Sequence, residues 1–209
     1  MARIKDSVCK LCRREKEKLF LKGVRCFSDK CGVTKKPYAP GQKAKMRLTE
    51  SEYYTQLREK QKAKRYYGLL ERQFLNYYKK ATRKKGITGE ILLQLIEMRL
   101  DNVVYQMGFA VSRPQARQFI SHGHVMVNSK KLDIPSYQVR EGDEISIADK
   151  SRELLQIVEA KETAGSISIP EWLSVDFNNF KGKVLRLPER SDIKAPINEQ
   201  MIVELYSRY

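Results

Sequence analysis

The apolar positions Leu92, Ile96, Leu100, Val103 and Met107 recur at helical spacing until Gly108 interrupts them. One amphipathic helix is therefore predicted from Thr88, its cap, to about Met107. Upstream, residues 49–85 read as two helices, the first capped by Thr49 or Ser51, with Glu50 and Glu52 suited to its positive end. The second buries Leu69, Leu70, Phe74, Tyr77 and Tyr78 and ends at Arg83-Lys84-Lys85-Gly86, where positive charge meets the negative helix end. Ser112-Arg113-Pro114-Gln115 has the form of a capping box, and Ala116, Phe119 and Ile120 give the short helix after it a buried side. Past Gly123 the pattern changes period. His124–Asn128 alternates as a strand turned at Asn128-Ser129, and Tyr137–Val139 and Glu144–Ile147 read as further strands. Lys183–Pro188 reads as one more, Pro170–Leu173 as a loop anchored by the only Trp, and Met201–Tyr206 is too short to assign.

This pattern gives an α+β chain in four parts. Residues 1–45 are a basic segment with little apolar material beyond Leu19-Phe20-Leu21. Residues 46–98 are a helical domain, completed by the C-terminal end of the chain. Residues 99–163 are a small α+β domain, two helices packed on an antiparallel sheet, and residues 164–209 are an extension packing on both domains.

Charge sharpens the picture. The 209 residues carry a net charge of +16. Residues 1–98 hold 26 Lys/Arg against 10 Asp/Glu, whereas residues 99–209 hold 15 of each, so the whole excess lies in the first half. A surplus confined in this way points to a polyanion, with nucleic acid first and an anionic membrane second. No apolar run is long enough to span a membrane, and Met1–Asp6 lacks an apolar signal core, so a cytoplasmic protein is expected.

All four cysteines fall in one stretch, Cys9, Cys12, Cys26 and Cys31, spaced C-x2-C-x13-C-x4-C. Two close pairs joined by a loop can bring four thiolates to one closed tetrahedral site, which zinc prefers over iron in a segment without redox work. Such a site folds a segment and leaves no open position for chemistry. A disulfide or redox-active cluster is the alternative reading.

The candidate binding residues follow the charge. Lys35-Lys36-Pro37-Tyr38 is an extended strip whose lysines suit a phosphate backbone and whose Tyr38 suits an unstacked base, although a plain linker reads the same way. Arg13, Arg14, Lys43 and Arg47 extend that arm. On the first helix Lys60 and Lys64 share a face, Arg58, Lys62 and Arg65 add to its field, and Tyr66 and Arg72 follow. The bland alternative is a solvated helix surface. In the α+β domain, Arg113 and Arg117 lie four apart on one helix beside Gln118, and Lys130-Lys131 sits at the hairpin. With Arg99, His122 and His124 these frame one positive face; the histidines lack a third ligand nearby and suit phosphate or base contacts.

Taken in order, these motifs resemble a known family, the bacterial small-subunit ribosomal protein four in its cysteine-bearing form. The resemblance runs nearly end to end. It rests on the cysteine segment, Pro37–Gln42, Leu57–Lys62, Tyr67-Gly68, Glu71–Phe74, Arg99–Tyr105, Gly108–Arg113, Gln115–Gln118, His122–His124, Val127-Asn128, Pro188 and Asn198–Gln200. It implies a zinc-bearing segment, a helical domain and an RNA-binding domain. It also implies early binding to a multi-helix junction in the 5′ domain of 16S rRNA, contact with ribosomal protein five, an influence on decoding accuracy, and in some bacteria repression of the protein's own mRNA. Two positions depart from the family pattern. Lys43-Ala44 stands where His-Gly is usual, and Ser129 replaces a glycine, which relaxes the expected demand for positive φ in the hairpin.

Two other classes compete. An RNA-modifying enzyme with the same small domain needs a separate catalytic domain, for which no segment has room; no nucleophile triad, phosphate-cradling glycine loop or open metal triad is present either. Outside the ribosome, the alternatives are an RNA-binding accessory protein and a zinc redox sensor, in which oxidation of Cys9, Cys12, Cys26 and Cys31 would release the metal.

Overall fold

The computed structural model describes residues 7–41, 51–164 and 169–208. In chain order its helices are α1 (Val8–Arg14), α2 (Gly32–Lys35), α3 (Glu52–Tyr66), α4 (Glu71–Thr82), α5 (Thr88–Glu97), α6 (Leu100–Gln106), α7 (Arg113–Ser121), α8 (Leu155–Ala164) and α9 (Glu199–Ser207). Its strands are β1 (Val125–Val127), β2 (Lys130–Lys131), β3 (Glu144–Ile147), β4 (Leu173–Asp176) and β5 (Lys181–Val184). They divide into two compact units, residues 1–92 with 195–209, and residues 93–194.

In the first unit, Ser51 is the cap of α3, its Oγ accepting from the Tyr54 amide at 3.2 Å. The unassigned C-terminal stretch is the helix α9, started by Asn198, whose Oδ1 accepts from the amides of Gln200 at 3.1 Å and Met201 at 3.3 Å. It runs beside α3, where Gln56 donates to Glu204 at 3.0 Å and Arg208 to Glu52 at 2.6 Å. Tyr206 stacks on Tyr78 with ring centroids 4.6 Å apart. Leu69, Phe74, Ile202 and Leu205 are buried residues of this helical layer. Leu19 and Leu21 form a smaller core with Cys12, against which Val8, Leu11, Val33 and Tyr66 pack.

The second unit is built on a five-stranded antiparallel sheet, ordered β2-β1-β3-β5-β4. Val125 pairs with Ile147 and Val127 with Ile145, so the alternate residues of neighbouring strands face one core. That core gathers Val103, Met107, Phe119, Ile120, Trp172 and Val184. Gly182 in β5 is needed for close approach: a Cβ there would stand 2.6 Å from the Met107 sulfur.

The structure corrects several sequence expectations. The single helix of 88–107 is two, broken at Met98-Arg99. There the backbone leaves helical geometry to pair with 135–139: the Leu100 amide donates to the Tyr137 carbonyl at 2.9 Å, and the Val139 amide to that of Met98 at 2.9 Å. Tyr137–Val139 is thus held by an isolated bridge from Gln138 to Arg99 rather than as a strand of the sheet. Residues 170–172 form the expected loop, a turn with Trp172 buried, and lead straight into the strand β4; the strand near 183–188 lies earlier, at Lys181–Val184, and Leu155–Ala164 adds the helix α8. The capping box at Ser112 is not formed, because Gln115 turns to accept from the Val111 amide at 2.8 Å. Ser129 does adopt positive φ, +63°, beside Asn128 at +49°. A two-residue hairpin of this type demands left-handed backbone at both positions, and here the Asn128 side chain braces the turn, donating to Asp143 at 2.9 Å and accepting from the Glu144 amide at 3.0 Å.

Candidate nucleic-acid interface

The four cysteines come together. All of them line one pocket, with Val8, Leu21, Lys22 and Gly32 among its walls. Cys12, Cys26 and Cys31 are buried and Cys9 half-buried, and all four are free thiols. Cys9 packs so closely on Gly32 that a Cβ there would stand 2.8 Å from its own. Backbone amides point at the sulfurs: the Lys22 N–H donates to Cys26 Sγ at 3.4 Å. Burial pushes the Cys12 thiol up against a backbone hydrogen bond from Leu19. Burial acts likewise on Cys31, but donors from Thr34 and Val33 outweigh it and hold that thiol below its ordinary value. Among the described residues no group of three or more Cys, His, Asp or Glu side chains is placed to hold a metal ion.

The two arginines after α1's cysteines hold the extended strip. Arg13 Nε donates to the carbonyls of Lys36 at 3.1 Å and Tyr38 at 3.0 Å, its guanidinium 5.1 Å from the centroid of the Tyr38 ring. Arg14 donates to the Pro40 carbonyl at 3.1 Å. These contacts commit Arg13 and Arg14 to shaping the strip, while Lys35, Lys36 and Tyr38 stay exposed. Lys43 and Arg47 lie outside the described residues.

Helix α3 is less positive than its sequence. Arg65 and Arg58 both face Glu15, whose side chain is nearly buried, Arg58 at 3.7 Å. Lys62 lies 2.7 Å from Glu59 and 3.3 Å from Glu17. Lys60, itself buried, meets Glu71 at 2.8 Å and Lys64 meets it at 2.7 Å. The five cations expected to bind phosphate from this helix therefore all hold carboxylates, and they pin the cysteine segment and α4 to α3. Tyr66 packs on the cysteine-segment core, edge-on to Tyr67 with centroids 5.0 Å apart.

Glu71 carries the clearest electrostatic consequence. Burial works to raise its carboxyl, but hydrogen bonds from Lys60 and Lys64 win and lower it from 4.5 to about 2. A depressed carboxyl stabilises the fold above its unfolded pKa, so this contribution is lost as pH falls from 4.5 through about 2. The side chain is 47% exposed, so after discounting for solvent screening the contribution is about 1 kcal/mol. Urea midpoints are expected to fall between about pH 5 and about pH 2.5 more steeply in the parent than in Glu71→Gln; equal slopes would refute it.

A further cluster of cations lies where the sequence pattern assigns no binding role. Lys79, Lys80, Arg83, Lys84 and Lys85 crowd the C-terminal end of α4, all exposed, as is Arg72 at its other end. Among the described residues none of the six has a carboxylate within ion-pair reach. Their spacing reads equally well as helix-end chemistry, which hid them; what was missing from the sequence was the knowledge that α3 is neutralised.

In the second unit the expected face splits into a buried and an exposed half. Arg99 is fully buried and Arg113 is 6% exposed, so neither stands on an outer surface. Arg99 clasps Asp101 with two hydrogen bonds, Nε to Oδ1 at 3.0 Å and Nη2 to Oδ2 at 2.6 Å. Arg113 donates to Asn102 Oδ1 at 2.7 Å and lies 4.5 Å from the centroid of the Tyr105 ring. Arg117 reaches Asp101 at 3.5 Å. Gln118, His122, Lys130 and Lys131 are exposed. Gly123, at φ +73°, lets the Lys131 stem cross it: a Cβ there would be 2.0 Å from Lys131 Cε. His124 is partly covered, its Nδ1 2.8 Å from Ser151 Oγ and its ring centroid 6.0 Å from that of His122. Burial, then the neighbouring His122 and Lys131, keep His124 below the usual imidazole value, so near neutral pH it serves as a neutral hydrogen-bonding ring.

The chain is similar to known proteins along its whole length. Residues 3–97 match the family described as the ribosomal protein S4/S9 N-terminal domain, and residues 98–145 match the S4 domain. The chain is 57% identical over 209 residues to the small ribosomal subunit protein uS4 of Natranaerobius thermophilus, covering all of both chains. It is 55% identical over 208 residues to that of Ruminiclostridium cellulolyticum and 53% identical over 209 residues to that of Thermus thermophilus, again at full coverage of both. On full-length identity and on both matched regions, the chain belongs to the small ribosomal subunit protein uS4 family.

Proposed function

We propose that this chain is a non-catalytic structural constituent of the small ribosomal subunit. It binds a multi-helix junction in the 5′ domain of 16S rRNA and works in the cytoplasm. The observation that carries the reading is the division of its cations. One set is committed internally to Glu15, Glu17, Glu59 and Glu71. The other, Arg72, the cluster within Lys79–Lys85 and the Lys130-Lys131 hairpin beside His122, is exposed. Exposed cations on rigid elements suit a folded RNA read by shape and phosphate position. The same membership supports contact with neighbouring subunit proteins, protein five among them, an effect on decoding accuracy, and repression of its own mRNA as an added role. No helix of the described residues is long and apolar enough to cross a membrane.

We infer one structural zinc in the cysteine pocket. Four free thiols share it, and amide donors of the kind that steady thiolates already face Cys12, Cys26 and Cys31. Cys9, Cys12, Cys26 and Cys31 would be its ligands, and bound metal would supply folding energy to residues 7–41 without chemistry on a substrate.

Footprinting on protein-free small-subunit rRNA, with and without a strong chelator, tests both readings. Protection confined to a 5′-domain junction is expected; scattered protection or none would reject the RNA assignment. Reductively purified protein is expected to carry one metal per chain. Chelation is expected to speed amide exchange across 7–41 while leaving 99–150 protected. Metal-free protein with unchanged exchange would reject the zinc.

A further inference from the structure

We propose that Phe20 and Phe27 form a stacking platform for an unpaired base of the bound RNA. This rests on the RNA-binding reading above and adds a site to it. Leu19 and Leu21 are buried, at 0% and 8% exposure, yet the residue between them sits at φ +52°, a region an aromatic side chain rarely enters. Backbone strain of this kind persists only where the surrounding fold imposes it, and it clusters at functional sites. Its result here is that Phe20 stays partly exposed and meets Phe27, with centroids 4.9 Å apart and planes 30° from parallel. Phe27 is 75% exposed, and Val24 on the intervening tight turn is 58% exposed. Pairing the two rings hides some apolar surface from water, yet Phe27 and Val24 remain largely exposed, as on a surface that awaits an occupant.

The surrounding charge selects the occupant. Lys22, Arg25 and Lys30 lie on the same segment, all exposed, and among the described residues none has an ion-pair partner. Asp29 is the only acid between Lys18 and Gly41. An apolar protein surface would have to be met by three uncompensated cations. A nucleotide offers a flat π face for the ring and phosphates for the cations, the combination that single-stranded nucleic acid sites use. The platform also sits on the cysteine pocket's own loop, since Lys22, Arg25 and Cys26 line that pocket, so its position is fixed by the fold of that segment.

The test uses the full chain and a transcript of small-subunit rRNA as probe. Phe27→Ala is expected to weaken binding about 5- to 100-fold, the range for loss of one stacked base, with the salt dependence of binding unchanged. Phe27→Leu keeps the apolar bulk and is expected to lose as much as alanine, whereas Phe27→Trp is expected to retain affinity. Equal melting temperatures for the variants would confirm that folding is intact, as exposure of Phe27 implies. Affinity unchanged in Phe27→Ala, or fully kept in Phe27→Leu, overturns the platform while leaving the RNA reading standing. If Phe27→Ala binds the transcript normally but drops out of subunits reconstituted with the other proteins, the surface is a protein contact and the proposal is wrong. Failure of the parent chain to bind the transcript overturns the RNA reading, and the platform with it.

Discussion

Asp101→Ala is expected to destabilise the second unit by about 3–5 kcal/mol, the usual cost of stranding one member of a buried ion pair. Arg99 is fully buried and Asp101 is 4% exposed, so the guanidinium loses its two-pronged carboxylate contact away from water. The cost is not local. Arg99 sits at the break between α5 and α6, where the amides of Leu100 and Asp101 donate to the carbonyls of Tyr137 and Pro135 at 2.9 and 3.1 Å. The Arg99–Asp101 pair therefore holds the corner that joins the helices to the 135–139 connection. Urea unfolding followed by circular dichroism measures the loss. Adding Arg99→Met to Asp101→Ala is expected to recover much of it, because removing both charges removes the desolvation penalty. If Asp101→Ala alone costs under about 1 kcal/mol, the buried pair is not what holds this corner.

The second large effect is on binding. Converting Lys79, Lys80, Arg83, Lys84 and Lys85 together to Gln is expected to weaken rRNA binding by about two to three orders of magnitude near 0.1 M salt. The steepness of log affinity against log salt should fall by about 3.5 to 4.5, at roughly 0.7 to 0.9 for each phosphate no longer neutralised. Stability should change little, since these side chains are exposed and their helix-end contribution is about 0.3–1 kcal/mol. Lys60→Gln with Lys64→Gln is the informative contrast. These lysines hold Glu71 at 2.8 and 2.7 Å, so replacing them should move the unfolding midpoint and scarcely touch the salt dependence. Reversed outcomes would mean that α3, rather than the end of α4, faces the RNA.

The contrast between these two helices also marks how far the sequence could be read. Element types were legible wherever one period ran undisturbed, as in α4, α7 and β3. They failed where long-range pairing overrode the pattern. The stripe from Leu92 to Met107 is continuous, yet Arg99 is pulled out of helical geometry by Gln138, which no local signal announces. β4 was hidden behind Pro170, and α9 was too short to judge without α3 beside it. At the site, positive residues were easy to count and their partners were not. Glu15, Glu17 and Glu71 lie outside the run of α3 that they neutralise, and Arg113 and Arg117 look alike on a helical wheel although only Arg113 is buried by Asn102 and Tyr105. The cysteine quartet was legible as a cluster because its spacing is local. Phe20 and Phe27 escaped notice because their meeting depends on one left-handed residue.

The salt dependence of binding to protein-free small-subunit rRNA tests the central claim most directly. Affinity of the full chain is expected to fall by about three to five orders of magnitude between about 50 and about 200 mM salt, as roughly six to ten phosphate contacts require, with the five-Gln variant distinctly shallower. An affinity that barely moves over that range, or equal slopes for the two proteins, would contradict the account.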